Sequence, residues 1–131
     1  MITYRSDIIP SAQAIVELFR DAALQRPVED EARIALMYER ADLVVTAWDG
    51  ERLVGIARSL TDFVFSCYLS DLATASDYQR SGIGRKLIEL TREKTGERCT
   101  LLLLSAPAAM EYYPRVGFER AENAFFIPRN S

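Results

Sequence analysis

The chain has 131 residues, 49% hydrophobic and 27% charged, with a net charge of −3. That suits one globular domain with a real core and little room for a second, and it argues against a general nucleic-acid binder or a membrane-surface protein. There is no histidine, which removes Ser-His-Asp and Cys-His nucleophile systems and any His-ligated metal.

The opening MITYRSDIIP lacks the apolar core of a secretory leader, and no apolar run approaches the roughly 18 residues of a membrane span. A cytoplasmic chain with no membrane and no nucleic-acid partner is therefore expected. ITYR (2–5) reads as a first strand. Pro10 and Ser11 open a helical pattern carried by Ile15, Leu18, Phe19 and Ala22 to about Leu24. Arg26-Pro27 interrupts it, and a second helix is predicted over Glu29–Arg40. The period then changes. DLVVTAWDG (42–50) is a strand closed by an Asp-Gly turn signal, ERLVGIARSLTD (51–62) its hairpin partner, and FVFSCYLSDLATA (63–75) a third strand. Leu53, Gly55, Ala57 and Ser59 share one face of the middle strand; Val54, Ile56 and Arg58 share the other.

A helix is predicted over Gly82–Lys94, with Ile83, Leu87, Leu90 and Thr91 inward and Gly96 as its stop. CTLLLLSA (99–106) is continuously apolar, which suits a strand over 99–105 buried on both faces in parallel pairing. A helix over Pro107–Val116 and a strand near Ala124–Pro128 complete the reading. The fold class is thus α/β (α+β), a mixed, mostly antiparallel sheet flanked by helices, in the order β-α-α-β-β-β-α-β-α-β, forming one domain over 1–131. Cys67 and Cys99, in VFSCYL and RCTLLL, read as buried thiols rather than a disulfide or a zinc site.

The loop SDYQRSGIGRKLIEL (76–90) carries the most chemistry. A helix N-terminus presents unpaired N–H groups and a partial positive charge, and glycines before it let an anion approach. Arg80, Arg85 and Lys86 add charge at the same turn, which points to a polyphosphate. A Walker loop does not fit Gly82 and Gly84, and Leu87 stands where a dinucleotide fingerprint needs its third glycine. By itself, Gly-x-Gly is also compatible with a plain connecting turn.

Gln79-Arg80-Ser81-Gly82-Ile83-Gly84 follows a strand ending in DLAT and precedes an amphipathic helix, and the chain continues to YYPRVGF (112–118). These segments resemble the acetyl-CoA-binding motif and the aromatic-Tyr-x-x-x-Gly-Phe segment of the GNAT superfamily of N-acetyltransferases. The resemblance implies that the fourth and fifth strands splay apart around the pantetheine arm, assigned to Leu72, Ala73 and Thr74. It places the pyrophosphate on the backbone of Gln79, Arg80, Ser81, Gly82, Ile83, Gly84 and Arg85, with Arg80 and Arg85 pairing phosphates. It implies acetyl-CoA as co-substrate, no metal, and transfer to a primary amine of a small molecule or peptide. A tyrosine matches a thiolate leaving group; the family's usual proton donor is a Tyr after the fifth strand, and in the frame set by Gly117-Phe118 the resemblance implies that this is Tyr113.

Three departures from the family's pattern stand out. Tyr68 and Ser70 occupy positions where many members carry Glu, leaving Asp71, water or no base. Ser105-Ala106-Pro107 stands where Asn is frequent, and Pro114 directly follows Tyr113. The alternative reading is a non-catalytic acyl-CoA-binding regulatory module of the same fold. The acceptor wall is expected in the first two helices and the hairpin at Asp62, with Asp30, Glu31, Glu39 and Asp42 as groups able to favour a cationic amine. A homodimer is compatible with a domain of this size.

Overall fold

The computed structural model describes residues 1–131. The Ser11 hydroxyl accepts a hydrogen bond from the Ala14 N–H at 3.1 Å, and the Asp30 carboxylate accepts one from the Arg33 N–H at 3.1 Å. These side chains satisfy otherwise orphaned helix-start donors and begin α1 (Ala12–Asp21) and α2 (Glu31–Glu39). Ile15, Phe19, Ile34 and Tyr38 of the two helices are fully buried, each such side chain contributing about 1.5–3 kcal/mol by leaving water.

Five strands, β1 (Ile2–Arg5), β2 (Leu43–Asp49), β3 (Arg52–Thr61), β4 (Ser66–Thr74) and β5 (Thr100–Leu102), form one sheet in sequence order. All neighbours are antiparallel except β4 and β5. Between β4 and β5 runs α3 (Ile83–Thr95), bounded by Gly82 at φ +87° and Gly96 at φ +90°. This helix packs directly on β3. A Cβ on Gly55 would stand 2.8 Å from Ile83 Cγ2 and 3.1 Å from Leu87 Cδ1. Arg58 and Asp71 turn to the other face, where they meet Tyr38 of α2.

Two irregularities of β4 set up the site. Arg58 opposes Asp71 but Ser59 opposes Leu69, so Ser70 has no partner on β3 and forms a bulge. The parallel pairing with β5 covers Ser66↔Thr100, Cys67↔Leu101 and Tyr68↔Leu102 and then stops. From there to Thr74, β4 is paired with β3 alone, and the two parallel strands part.

Several predicted boundaries move. α1 ends at Asp21 rather than Leu24, and Ala23 turns at φ +56°. β4 begins at Ser66, not at 63, because the Asp62 carboxylate collects the N–H groups of Val64, Phe65 and Ser66 at 2.8–3.1 Å and Phe63 sits at φ +61°. The apolar run 99–105 yields only three strand residues, and it is not covered on both sides: Leu102 and Leu104 are 42% and 54% exposed.

The predicted helix over 107–116 is instead two 3-10 turns, Pro107–Ala109 and Tyr113–Val116. Pro114 lacks the N–H that an α-helical ladder would need there. The predicted strand at 124–128 does not form, and Phe125, Phe126 and Ile127 are 95%, 73% and 96% exposed. The observed order is therefore β-α-α-β-β-β-α-β, with β5 at the sheet edge. No helix is long and apolar enough to cross a membrane.

Candidate active site

Where β4 leaves β5, a cleft of about 830 Å³ opens between the end of β4, the start of α3 and the two Tyr-bearing turns. Leu72 and Thr74 line it from the sheet, Gln79, Arg80, Gly82, Gly84 and Arg85 from the turn, and Tyr112 and Tyr113 from the far wall. Most of the residues that the sequence singled out therefore converge on one space. Ile83 lines it as well, although its side chain is only 2% exposed and belongs to the core. Ala73 is buried on the opposite face of β4 and pairs with Ile56 of β3, so its side chain does not reach the cleft. The Ser81 hydroxyl turns back and donates to the Tyr78 carbonyl.

The turn itself is built for a close approach. Arg80 (φ +66°) and Gly82 (φ +87°) both adopt left-handed backbone conformations. A Cβ on Gly84 would project toward the cleft, 3.1 Å from the Tyr112 hydroxyl and 3.8 Å from Thr74 Oγ1. Removing that carbon leaves the α3 N–H groups open to a guest. The Arg85 and Lys86 side chains stand 4.0 and 3.9 Å from Glu89 at partly exposed positions, loose ion pairs that leave the cations free to be drawn to an anion. The glycine cradle, the cationic turn and the β4 edge that β5 leaves, touched there by Gln79 Nε2 at 3.2 Å from the Thr74 carbonyl, offer the donors and acceptors that a ligand such as acetyl-CoA would need.

Tyr113 packs edge-on against Tyr112 and Phe118, with ring centroids 5.2 and 5.5 Å away. Burial, reinforced by Tyr112, raises its pKa above the ordinary phenol value. It is accordingly protonated at neutral pH, the state that a proton donor requires. Pro114 breaks the predicted helix but does not remove Tyr113 from the cleft wall.

Asp71 is differently placed. Its carboxylate is fully buried and accepts from Arg26 Nε at 2.6 Å, Arg58 Nε at 2.6 Å and the Tyr38 hydroxyl at 2.9 Å. Burial by itself raises its pKa, but the hydrogen bond and charge of Arg58, with Arg26 behind them, outweigh it and hold the group below the usual carboxylate value. Strict alternation predicts Asp71 opposite Ser70; the bulge instead lets both side chains reach Arg58, Ser70 Oγ at 3.0 Å from Nη2. The bulge does re-aim Asp71, into an ion cluster and not toward the cleft.

A second cleft, about 590 Å³, lies on the α2 side of the sheet and is lined by Arg26, Arg33, Arg58 and Arg129 together with Tyr68 and Ser70. Sequence reasoning missed this group, because a loop, α2, β3 and the tail each supply one arginine and no spacing links them. Two of the four acidic residues considered for the acceptor wall are tied into the fold. Asp30 caps α2, and Asp42 accepts from the Thr61 N–H at 2.9 Å.

The profile described as "Acetyltransferase (GNAT) domain" matches residues 10–126. An uncharacterized N-acetyltransferase of Porphyra purpurea is 25% identical over 114 residues, 81% of this chain and 65% of that protein. Its counterpart in Pyropia yezoensis is 27% identical over 84 residues, 60% of this chain and 48% of that one. The chain thus spans less than two thirds of both relatives. In fold, a GNAT-family acetyltransferase of Streptococcus pneumoniae superposes with a TM-score of 0.76 at 22% identity, covering 98% of this chain and 99% of the other. The ribosomal-protein-S18-alanine N-acetyltransferase of Escherichia coli superposes with a TM-score of 0.75 at 24% identity, covering 92% and 79%. With the profile spanning four of the five strands and the parted strands meeting a glycine-turned helix start, the chain belongs to the GNAT family of acetyltransferases.

Proposed function

We propose that the protein moves an acetyl group from acetyl-CoA to a primary amine by direct attack on the thioester. The observation that carries this reading is the parting of β4 from β5 after Tyr68↔Leu102, immediately beside the left-handed Gly82 that starts α3. Leu72 and Thr74 direct their backbone groups to the edge that β5 leaves, with Ala73 between them paired to β3; an amide-bearing arm pairs there as an added strand would, displacing the Gln79 amide that donates to the Thr74 carbonyl. The N–H groups of residues 82–85 and the side chains of Arg80 and Arg85 receive the pyrophosphate.

Acetyl-CoA, when bound, supplies a thioester carbonyl to the acceptor amine. A β4 N–H at the cleft stabilises the oxyanion formed on attack. Tyr113, held protonated by burial, donates its proton to the departing thiolate. Asp71 is not the base, because its carboxylate is closed off by two guanidinium groups and Tyr38. The amine gives up its proton to solvent.

Acetyl-CoA at a hundredfold excess over its Kd is expected to stabilise the protein by about 2.7 kcal/mol, and Gly84→Leu is expected to abolish that gain while leaving the unliganded protein folded. Thermal unfolding with and without acetyl-CoA measures both. No stabilisation of the wild type would overturn the reading. Tyr113→Phe is expected to lower kcat by about 10²–10⁴-fold; full activity in that variant would remove Tyr113 from the role.

A further inference from the structure

The arginine-lined cleft has a chemistry of its own. Arg26, Arg33, Arg58 and Arg129 face a space of about 590 Å³ that no Asp or Glu lines, in a chain whose net charge is −3. One carboxylate, Asp71, is shared beneath it by Arg26 and Arg58. Arg33 and Arg129 form no ion pair with any carboxylate side chain. A guanidinium carries five N–H donors. Arg26 directs one each at Asp71, the Gln25 carbonyl and the Ser70 carbonyl, and Arg33 directs one at the Ser131 main-chain oxygen at 3.3 Å. The remaining donors point to a guest rich in oxygen acceptors and negative in charge.

The position of this cleft ties it to the transfer reaction. Ser70 lines it, and Leu72, two residues on, lines the cofactor cleft; a strand advances about 3.3 Å per residue, so these two lining residues stand roughly 7 Å apart along β4. The bulge at Ser70 switches the faces of β4 between them. A molecule seated on the arginines therefore reaches the thioester from the α2 side, through the gap left by β5, if it is small.

We infer that the arginine-lined cleft is the acceptor site, and that the acceptor is a small amine that also carries an oxyanionic group, carboxylate or phosphate. Arg33 and Arg26 hold the oxyanion in the forked geometry that guanidinium groups favour, which leaves the amine directed at the gap between β4 and β5. In the transfer, the amine nitrogen forms the new bond to the acetyl carbon, the carbon–sulfur bond breaks, the thiolate takes a proton from Tyr113, and the amine proton goes to water. Polycationic amines are repelled from the same space. This inference rests on the acetyltransferase reading above.

Matched pairs test it. CoA thiol release from acetyl-CoA is followed with the common α-amino acids against their amides, O-phosphoethanolamine against ethanolamine, and spermidine. At least one charged member is expected to be acetylated ten-fold or more better, in kcat/KM, than its neutral partner. Which pair shows the preference separates carboxylate from phosphate. Arg33→Gln is expected to raise KM for that charged amine about ten-fold or more with kcat nearly unchanged, and so to erase most of its preference over the neutral partner, and Arg33→Lys is expected to recover part of the loss. A preference for spermidine or for the neutral partners, no turnover of any charged amine, or an Arg33→Gln variant with unaltered KM overturns the inference. Stabilisation by acetyl-CoA, measured on the same samples, keeps the two readings apart. Its presence alongside any of those outcomes means that the acceptor assignment alone fails, whereas its absence means that the cofactor reading fails first.

Discussion

Replacing Asp71 with alanine strands two guanidinium groups, one of them on Arg58, which is only 7% exposed. Breaking a buried pair by removing one member costs about 3–5 kcal/mol, and urea unfolding of Asp71→Ala should show a loss of that size. The sign of the pH dependence follows from the lowered pKa. A carboxylate depressed in the folded state contributes its full stabilisation above its unfolded value of 3.8, and loses it as pH falls through the lower folded value. The gap between wild type and Asp71→Ala should thus be flat across neutral pH and narrow only below about pH 4. A gap that already changes between pH 6 and 8 would mean that another group controls the cluster. Asp71 also shows where residue-level reading stops. Its sequence neighbours mark it as a strand residue beside the reacting centre, but its partners come from the α1–α2 connection, α2 and β3, and only the fold brings Arg26, Tyr38 and Arg58 to one carboxylate.

Among the elements, α3 and the β2–β3 hairpin were legible because glycines mark their ends. Gly82 and Gly96 bound a helix one residue displaced from the predicted one, and Gly50 (φ +61°) follows Asp49 in the turn. These signals are local: a left-handed backbone angle favours glycine whatever packs nearby. β5 was less legible. Four consecutive leucines specify an apolar environment but not how many neighbours will supply it, and a strand extends only as far as a partner does. The placement of α3 on β3 depends on one missing carbon. Gly55→Ala would put a Cβ 2.8 Å from Ile83 Cγ2, and overpacking of this kind costs about 1–3 kcal/mol. Because Ile83 and Gly84 begin α3, the displacement should also weaken acetyl-CoA binding, measurable as a raised Kd by titration calorimetry. Unchanged affinity in a destabilised Gly55→Ala protein would show that the start of α3 keeps its place while its flank yields.

At the scale of the whole molecule, the two clefts lie on opposite faces of one sheet, on either side of the point where β4 and β5 diverge. Composition reported the acidic average of the chain but not its distribution, so the concentration of arginines on the α2 side was invisible until the fold assembled it. The distribution of burial has a consequence for the folding hierarchy. Every buried residue lies at or before Cys99, and the segment after it joins the sheet through three register pairs alone. The first three quarters of the chain therefore hold the core, to which Thr100 onward adds only the partly buried Leu101, Leu103, Tyr113, Val116 and Phe118, and that segment is expected to open separately at lower free energy. Native-state hydrogen exchange should show amides of 100–118 exchanging through a subglobal opening well below the free energy that protects β2 and β3. Acetyl-CoA, bridging bare β4 to the tyrosine wall, should slow the former far more than the latter. Uniform protection along the chain would refute this division. With Tyr113 on the segment that opens, a ligand bound across the cleft would staple that segment shut, so that the tyrosine comes into register with β4 only once the cleft is filled.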